Sequence, residues 1–164
     1  MEEIWKQIEN YENYSVSTFG KVRNDTTGKI LKGCKKSQGN YECHFTKDGI
    51  RKYFFIHRLI ALAFIPNPEE KLEIDHIDND PSNNKIENLR WATRQENIWN
   101  RRIPSDNKSG IKGVSWCNQT QKWRAQIHVD GITVHLGRYN TIARQTRANQ
   151  AFGVFTNACE TIQF

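Results

Sequence analysis

Apolar and polar positions alternate along much of the first fifty-five residues. Tyr14-Ser15-Val16-Ser17 reads as a short strand, and Phe19-Gly20-Lys21-Val22-Arg23 as a turn into a second. Residues 24–29 are a cluster of turn formers, after which Ile30-Leu31-Lys32 resumes an extended pattern. Tyr41, Cys43 and Phe45 alternate with polar neighbours, and Asp48-Gly49 is a hairpin signal ahead of a strand over 51–56. From His57 the period changes. Leu59, Ile60, Leu62, Ala63 and Phe64 fall at helical spacing, and Pro66 and Pro68 end the helix. Leu72 and Ile74 lead into Asp75-His76, and residues 77–84 are rich in turn formers. A helix from about Ile86 is expected to carry Leu89 and Trp91 and to run through Asn97 and Asn100. Residues 101–109 read as a linker. Three strands follow over 112–116, 122–129 and 132–139, and Asn140-Thr141 caps a helix from about 142 to 155.

The chain has 164 residues, of which 37% are hydrophobic, too few for one large core but enough for two or three small modules. Its 18 aromatic residues argue against disorder, and no run of 18 apolar residues could cross a membrane. The opening MEEIWKQIEN is acidic and polar, unlike a secretory or mitochondrial presequence. Cys34, Cys43, Cys117 and Cys159 form no Cys-x-x-Cys pair, which points to free thiols in a cytoplasmic protein rather than to zinc.

Charge is uneven. Residues 1–50 hold eight Lys/Arg against seven Asp/Glu, and 51–100 hold seven against eight. Residues 101–150 hold nine against two, which accounts for the net +6. One third of the chain thus carries the field expected of a nucleic-acid or anionic-surface binder, the alternative being a basic solubility face. On the strand at 122–129, Arg124, Gln126 and His128 share one face, with Thr133 and His135 joining them from the next strand. Such a face suits phosphates and base edges, or is an ordinary solvated surface.

The constellation with chemical content is Asp75-His76, Asn88 and Asn97. Phosphodiester hydrolysis needs a base for water and a positive centre at the phosphate. One carboxylate, one amide oxygen and a neutral imidazole meet that need with magnesium, which takes few protein ligands. Adjacent Asp75 and His76 point to opposite faces of a strand, so a distortion at the turn is expected to bring them to one site. On spacing alone, an Asp beside a His is most often a surface pair. Trp91 and Leu89 read as core and His57 as a packing or hydrogen-bonding residue. Asn83 and Asn84 read as turn residues or phosphate contacts, and Asp78 and Asp80 as solvated loop acids in preference to metal ligands. Asn100, on the face of Asn97, reads as a residue that supports the site without touching the metal.

The wider segment narrows this. Leu72-Glu73-Ile74-Asp75-His76-Ile77-Asp78-Asn79-Asp80, continuing through Asn83-Asn84-Lys85-Ile86-Glu87-Asn88-Leu89-Arg90-Trp91-Ala92-Thr93 to Asn97, resembles the HNH nuclease motif, the ββα-metal finger. His57-Arg58-Leu59-Ile60-Ala61-Leu62-Ala63-Phe64 looks like the segment ahead of that motif in phage and intron-encoded homing endonucleases. Ile4-Trp5-Lys6, Tyr11-Glu12-Asn13-Tyr14-Ser15-Val16-Ser17 and Phe19-Gly20-Lys21-Val22 resemble their nuclease-associated modular motif. The resemblance implies His76 as general base, Asp75 and Asn97 as metal ligands, and Asn88 as the residue that braces the loop and helps orient His76. It implies Mg²⁺, with Mn²⁺ as a substitute, and 5′-phosphate and 3′-hydroxyl ends.

Lys108-Ser109-Gly110-Ile111-Lys112-Gly113-Val114-Ser115-Trp116, Lys122-Trp123-Arg124-Ala125-Gln126-Ile127 and His135-Leu136-Gly137-Arg138-Tyr139-Asn140-Thr141 resemble the APETALA2 DNA-binding domain, a three-stranded sheet on one helix. By position, Lys112, Arg124, Gln126, His128, His135 and Arg138 then face DNA. The fold class expected is α+β. It comprises a β-rich module at 1–50, a ββα-metal nuclease finger at 51–100, a linker at 101–109 and the DNA-binding sheet and helix at 110–164. The function expected is cleavage of double-stranded DNA by a monomer, a dimer being open, in the cytoplasm of a phage-infected cell. The alternatives are a non-catalytic DNA-binding regulator on the same modules and, less favoured, an RNA-binding module.

Overall fold

The computed structural model describes residues 2–129 and 131–141, which form an α+β chain in two compact units divided after Arg101. In the first unit, strands β1 (Trp5–Ile8), β2 (Tyr11–Ser17), β3 (Val22–Asn24) and β4 (Ile30–Leu31) make an antiparallel sheet in chain order. Val16 and Val22 lie opposite each other across β2 and β3, and both are fully buried. A second sheet joins β5 (Cys34–Lys35), β6 (Tyr41–Lys47) and β7 (Ile50–Phe55). Lys47 pairs with Ile50, so the β6–β7 loop is Asp48-Gly49, and both take positive φ (53° and 76°) as a primed two-residue turn requires.

Helix α1 (Ile56–Phe64) follows β7 without a break, and its Ile56, Leu59, Ile60 and Ala61 are buried. They complete a core that takes Ile8, Val16 and Val22 from the first sheet, Cys43 and Phe45 from the second, and Ile74 and Leu89 from the hairpin described next. Phe45 is its centre, with ring centroids 5.2 Å from Tyr11, 4.3 Å from Tyr14 and 5.2 Å from Phe54. Full burial of such a side chain contributes roughly 1.5–3 kcal/mol. Residues on both sides of position 50 thus share one core, and the β6–β7 hairpin crosses that position.

Strands β8 (Glu73–His76) and β9 (Leu89–Ala92) pair antiparallel, with Asp75 opposite Arg90 and His76 opposite Leu89. The continuous helix expected from Ile86 is absent. Residues Ile86–Asn88 form one 3₁₀ turn, β9 follows, and helix α2 (Arg94–Asn100) begins only after Thr93. Pairing explains the difference: a helix there would leave the backbone of β8 without its ladder, whereas the strand satisfies it and buries Leu89 beside Ile74. The helix start is marked by a capping box, in which the Glu96 backbone N–H donates to Thr93 Oγ1 and the Thr93 N–H donates to the Glu96 carboxylate.

The second unit holds β10 (Val114–Cys117), β11 (Lys122–Val129) and β12 (Ile132–Tyr139), an antiparallel sheet in that order. Val114 and Ala125 are buried cross-strand partners, and Trp116 meets Trp123 edge-on at 5.1 Å. The helix expected over 142–155, with Arg144 and Arg147, lies outside the described residues, as does Cys159. The other three cysteines are free thiols; burial pushes the Cys43 thiol up to about 12, so it stays protonated and inert. Among the described residues, no helix is long and apolar enough to cross a membrane.

Candidate active site

The site is built at the end of the β8–β9 hairpin. Asp75 and His76 are the last two residues of β8 and are 4% and 9% exposed. Pairing is regular through both, with no distortion, so the side chains leave by opposite faces of the strand's end. On one face Asp75 Oδ2 accepts from Arg90 Nε at 3.0 Å and from its terminal nitrogen at 2.9 Å. Oδ1 accepts once, from Asn100 Nδ2 at 3.0 Å. The buried carboxylate is thereby paired with a guanidinium, and Oδ1 keeps room for a further partner.

Helix α2 supplies two asparagines, three residues apart and so on one face. Asn100 Nδ2 donates to Asp75 Oδ1 and also to the backbone oxygens of His76 at 2.9 Å and Ile77 at 3.3 Å. Asn97 Nδ2 donates at 2.8 Å to Glu73 Oε2, two residues before Asp75 on the same face of β8. The hydrogen-bond partner of Asp75 from α2 is therefore Asn100, while Asn97 engages Glu73. Because its nitrogen is turned to Glu73, the Asn97 amide oxygen is on the other side of the amide. Among the described residues, no cluster of three or more His, Cys, Asp and Glu exists to hold a metal ion. One carboxylate oxygen with amide oxygens is a donor set that fits magnesium, which keeps most of its waters, and does not fit zinc.

On the other face, His76 Nε2 lies 3.2 Å from Asn84 Oδ1. An amide oxygen only accepts, so the ring tautomer that donates to it from Nε2 is the one whose Nδ1 carries the lone pair. Asn84 is 7% exposed, and its contact with the ring was not legible in the sequence, where it reads as a turn residue or a phosphate contact. His57, at the start of α1, meets the His76 ring edge-on at 5.1 Å and stacks on Phe55 at 5.5 Å. Burial first, then the His76 and Arg58 charges, lower the His57 pKa to about 4, so it stays neutral beside His76. Among the described residues, the buried His57 Nδ1 has no hydrogen-bond partner.

Asn88 braces the intervening loop. Its Oδ1 accepts from the Asp78 backbone N–H at 3.0 Å, and its Nδ2 donates to Asp78 Oδ1 at 2.9 Å and to the Asn83 carbonyl at 2.8 Å. Its own carbonyl accepts from Ile77 N–H. Asp78 is therefore the hub of the loop rather than a merely solvated acid. The hydrogen bond from Asn83 Nδ2, first among several, holds its carboxyl below the usual range.

In the second unit, cross-strand partners place Ser115, Arg124 and Arg138 in one row, Gln126 with His135, and His128 with Thr133. Simple alternation along β12 would put His135 and Arg138 on opposite faces. A bulge between the Gln126–His135 and Ala125–Gly137 pairs inserts one residue and returns both to the face of Arg124, Gln126 and His128. Lys112 lies just before β10 and is exposed.

A hairpin and helix closing over an Asp-His pair is a nuclease-type finger, and the comparisons agree. The family described as HNH endonuclease matches residues 54–98, and the NUMOD4 motif matches residues 3–45. DNA endonuclease I-HmuI of Bacillus phage SP01 is 37% identical over 134 residues, covering 78% of this chain and 74% of that protein. The chain belongs to the HNH endonuclease family. A solved structure described as DNA binding and cleavage by the HNH homing endonuclease I-HmuI matches with a TM-score of 0.57 at 35% identity, over 82% of this chain and 77% of that one. Two uncharacterized HNH endonucleases of Acanthamoeba polyphaga mimivirus, L245 and L247, are 39% and 44% identical over 57% and 58% of this chain. The chain spans only 28% and 25% of their length.

Proposed function

We propose that this chain is a metal-dependent endonuclease that hydrolyses phosphodiester bonds in double-stranded DNA. The observation that carries this reading is His76, buried at the end of β8 with its Nε2 3.2 Å from the Asn84 amide oxygen, which suits the tautomer whose Nδ1 is free to act as a base. In this reading Nδ1 takes a proton from water as the water oxygen attacks phosphorus in line with the departing 3′-oxygen. The P–O3′ bond breaks and the departing 3′-oxygen takes a proton from solvent, leaving 5′-phosphate and 3′-hydroxyl ends. Asp75, through Oδ1, and the Asn97 amide oxygen would hold a divalent ion, Mg²⁺ with Mn²⁺ as a substitute. Such an ion supplies charge stabilisation at the phosphate and the leaving oxygen. Glu73 and Asn100, which engage those two ligands, fix the orientation of each.

The sheet of the second unit is proposed as an APETALA2-type DNA reader at 110–164, with Lys112, Arg124, Gln126, His128, His135 and Arg138 toward DNA. The bulge that gathers His135 and Arg138 beside Arg124 and Gln126 supports this. The working form proposed is a monomer acting in the cytoplasm of a phage-infected cell, consistent with a phage relative. A non-catalytic regulator would not need the Asn84–His76 arrangement. Incubation of purified protein with supercoiled plasmid decides between them. Mg²⁺ should produce nicked or linear DNA, EDTA should stop it, and Asp75→Ala should remove both cleavage and Mg²⁺ binding by titration. Binding without cleavage in either metal would leave only the regulator.

A further inference from the structure

Residues 3–45 and 54–98 match two separate motifs, yet the turn between β2 and β3 sits directly behind the loop that follows His76. The Thr18 backbone oxygen accepts from Ile86 N–H at 2.9 Å, at the start of the 3₁₀ turn that ends the loop. Gly20, at φ +83°, lies so close that a Cβ built on it would be 3.0 Å from both the carbonyl carbon and Cβ of Asn84. Those neighbours are backbone and the root of a side chain, so a methyl group there must push Asn84 itself. A second N-terminal turn does the same at another point, since a Cβ on Gly39 (φ +89°) would be 2.6 Å from Pro81 Cγ. Asn84 is thus gripped from behind, while its amide oxygen faces His76 Nε2.

We propose that Asn84 is a positioning residue for His76, and that the turn at residues 18–20 fixes Asn84 in place. The N-terminal segment is then part of the catalytic machinery, in addition to any contact it makes with DNA. The physical argument is one of tautomer and tolerance. A neutral imidazole can carry its proton on either nitrogen, and only the form with Nε2–H leaves Nδ1 free as the base. An oxygen acceptor held at Nε2 selects that form and fixes the ring plane. A hydrogen bond already at 3.2 Å tolerates little further separation, so the backbone that carries Asn84 has to be immobilised. Gly20 and the Thr18–Ile86 hydrogen bond provide that immobilisation from a segment remote in sequence.

The proposal rests on His76 as the base, so His76→Ala is run in parallel on the full chain. Single-turnover cleavage of plasmid in Mg²⁺ is compared with DNA affinity measured in EDTA. Asn84→Ala should lower the cleavage rate about 10–100-fold, the range usual for partners that orient a reacting group, with DNA affinity unchanged. Asn84→Asp keeps an acceptor oxygen at the same place and should restore most of the rate. The ¹⁵N shifts of the His76 ring should report Nε2–H in the parent and Asn84→Asp, and a tautomer mixture in Asn84→Ala. Gly20→Ala should reproduce the Asn84→Ala signature more weakly. If it fails to fold, Ile86→Pro replaces it, because proline removes the N–H that Thr18 accepts and suits the first position of a turn; Ile86→Ala, which keeps the N–H, controls for the lost core packing of the side chain. Cleavage by His76→Ala at the parent rate would defeat the nuclease reading itself. If His76→Ala is inactive while Asn84→Ala cuts normally with an unchanged tautomer, Asn84 is not a positioning residue. If the folded Gly20→Ala or Ile86→Pro protein cuts normally, the N-terminal turn has no part in the site.

Discussion

The loop between β8 and β9 and the sheet of the second unit treat polar side chains in opposite ways. In the loop, Asp78, Asn83, Asn84 and Asn88 turn toward one another, toward the loop backbone or toward His76. In the sheet, Gln126, His135 and Arg138 stand out from one face, with His135 and Arg138 exposed. The loop has spent its hydrogen-bonding capacity on holding a shape, while the sheet face has much of its own left over. Chemistry on one bond needs a base fixed to a fraction of an ångström. Recognition of a long polyanion needs many donors that reach outward.

The contrast breaks most sharply at His76. His76→Ala should cut the cleavage rate by roughly 10²–10⁴, with DNA affinity nearly intact, because a general base acts on the transition state and not on phosphate binding. Gel-based cleavage beside an equilibrium binding assay checks both halves. The reverse experiment removes the sheet. Residues 1–101 carry 16 Lys/Arg against 15 Asp/Glu, so this fragment should keep the chemistry and bind DNA weakly. For every phosphate that the protein no longer neutralises, the log–log salt dependence of binding flattens by about 0.9. A titration from low to high salt should therefore show a much shallower slope for the fragment. An unchanged slope would mean that the sheet is an ordinary solvated face.

A finer cut separates phosphate from base recognition on that face. Arg138→Ala and Gln126→Ala are each expected to cost about 1–3 kcal/mol at one base position if they read sequence, or to weaken all sequences equally if they touch phosphate. Competition binding with single-base variants of a bound site distinguishes the two. The smallest effect lies on the inward-turned side and concerns pH. His57 has its pKa lowered from 6.5 to about 4 in the folded state, so the unfolded chain takes up its proton first as pH falls. Its contribution is complete above about pH 6.5 and is lost as pH drops toward 4. Melting temperature measured across that window should fall, and His57→Phe should flatten the early part of the decline.

These features differ in how far the sequence betrays them. The Asp48-Gly49 turn and α1 were legible because each has a strong local cause: a dipeptide that accepts positive φ, and an apolar set at helical spacing closed by proline. Strand β9 was not, since Leu89 and Trp91 fit a short helix as well as a short strand, and four residues are too few for periodicity to decide. Its identity comes from pairing with β8, which is a tertiary fact. Asp75 and His76 stood out in their motif, but Asn84 is one asparagine in a turn-rich run, and the neighbour packed against it, Gly20, lies sixty-four residues earlier in the chain. Likewise, alternation placed His135 correctly but could not foresee the bulge that brings Arg138 to the same face.

The shared core of residues 1–101 also makes the molecule divisible in a controlled way. The exposed Asp48-Gly49 turn joins two stretches that each contribute only part of that core: Val16, Val22 and Phe45 before it, and Ile56, Ile60 and Leu89 after it. Opened there, the protein becomes two chains, one carrying Gly20 and the other carrying His76 and Asn84. The second piece holds every residue of the active centre but lacks the part of the core that supports it. Cleavage would then return only on reassembly, with a rate second order in the two halves, so that the fold itself serves as a coincidence detector for their joint presence.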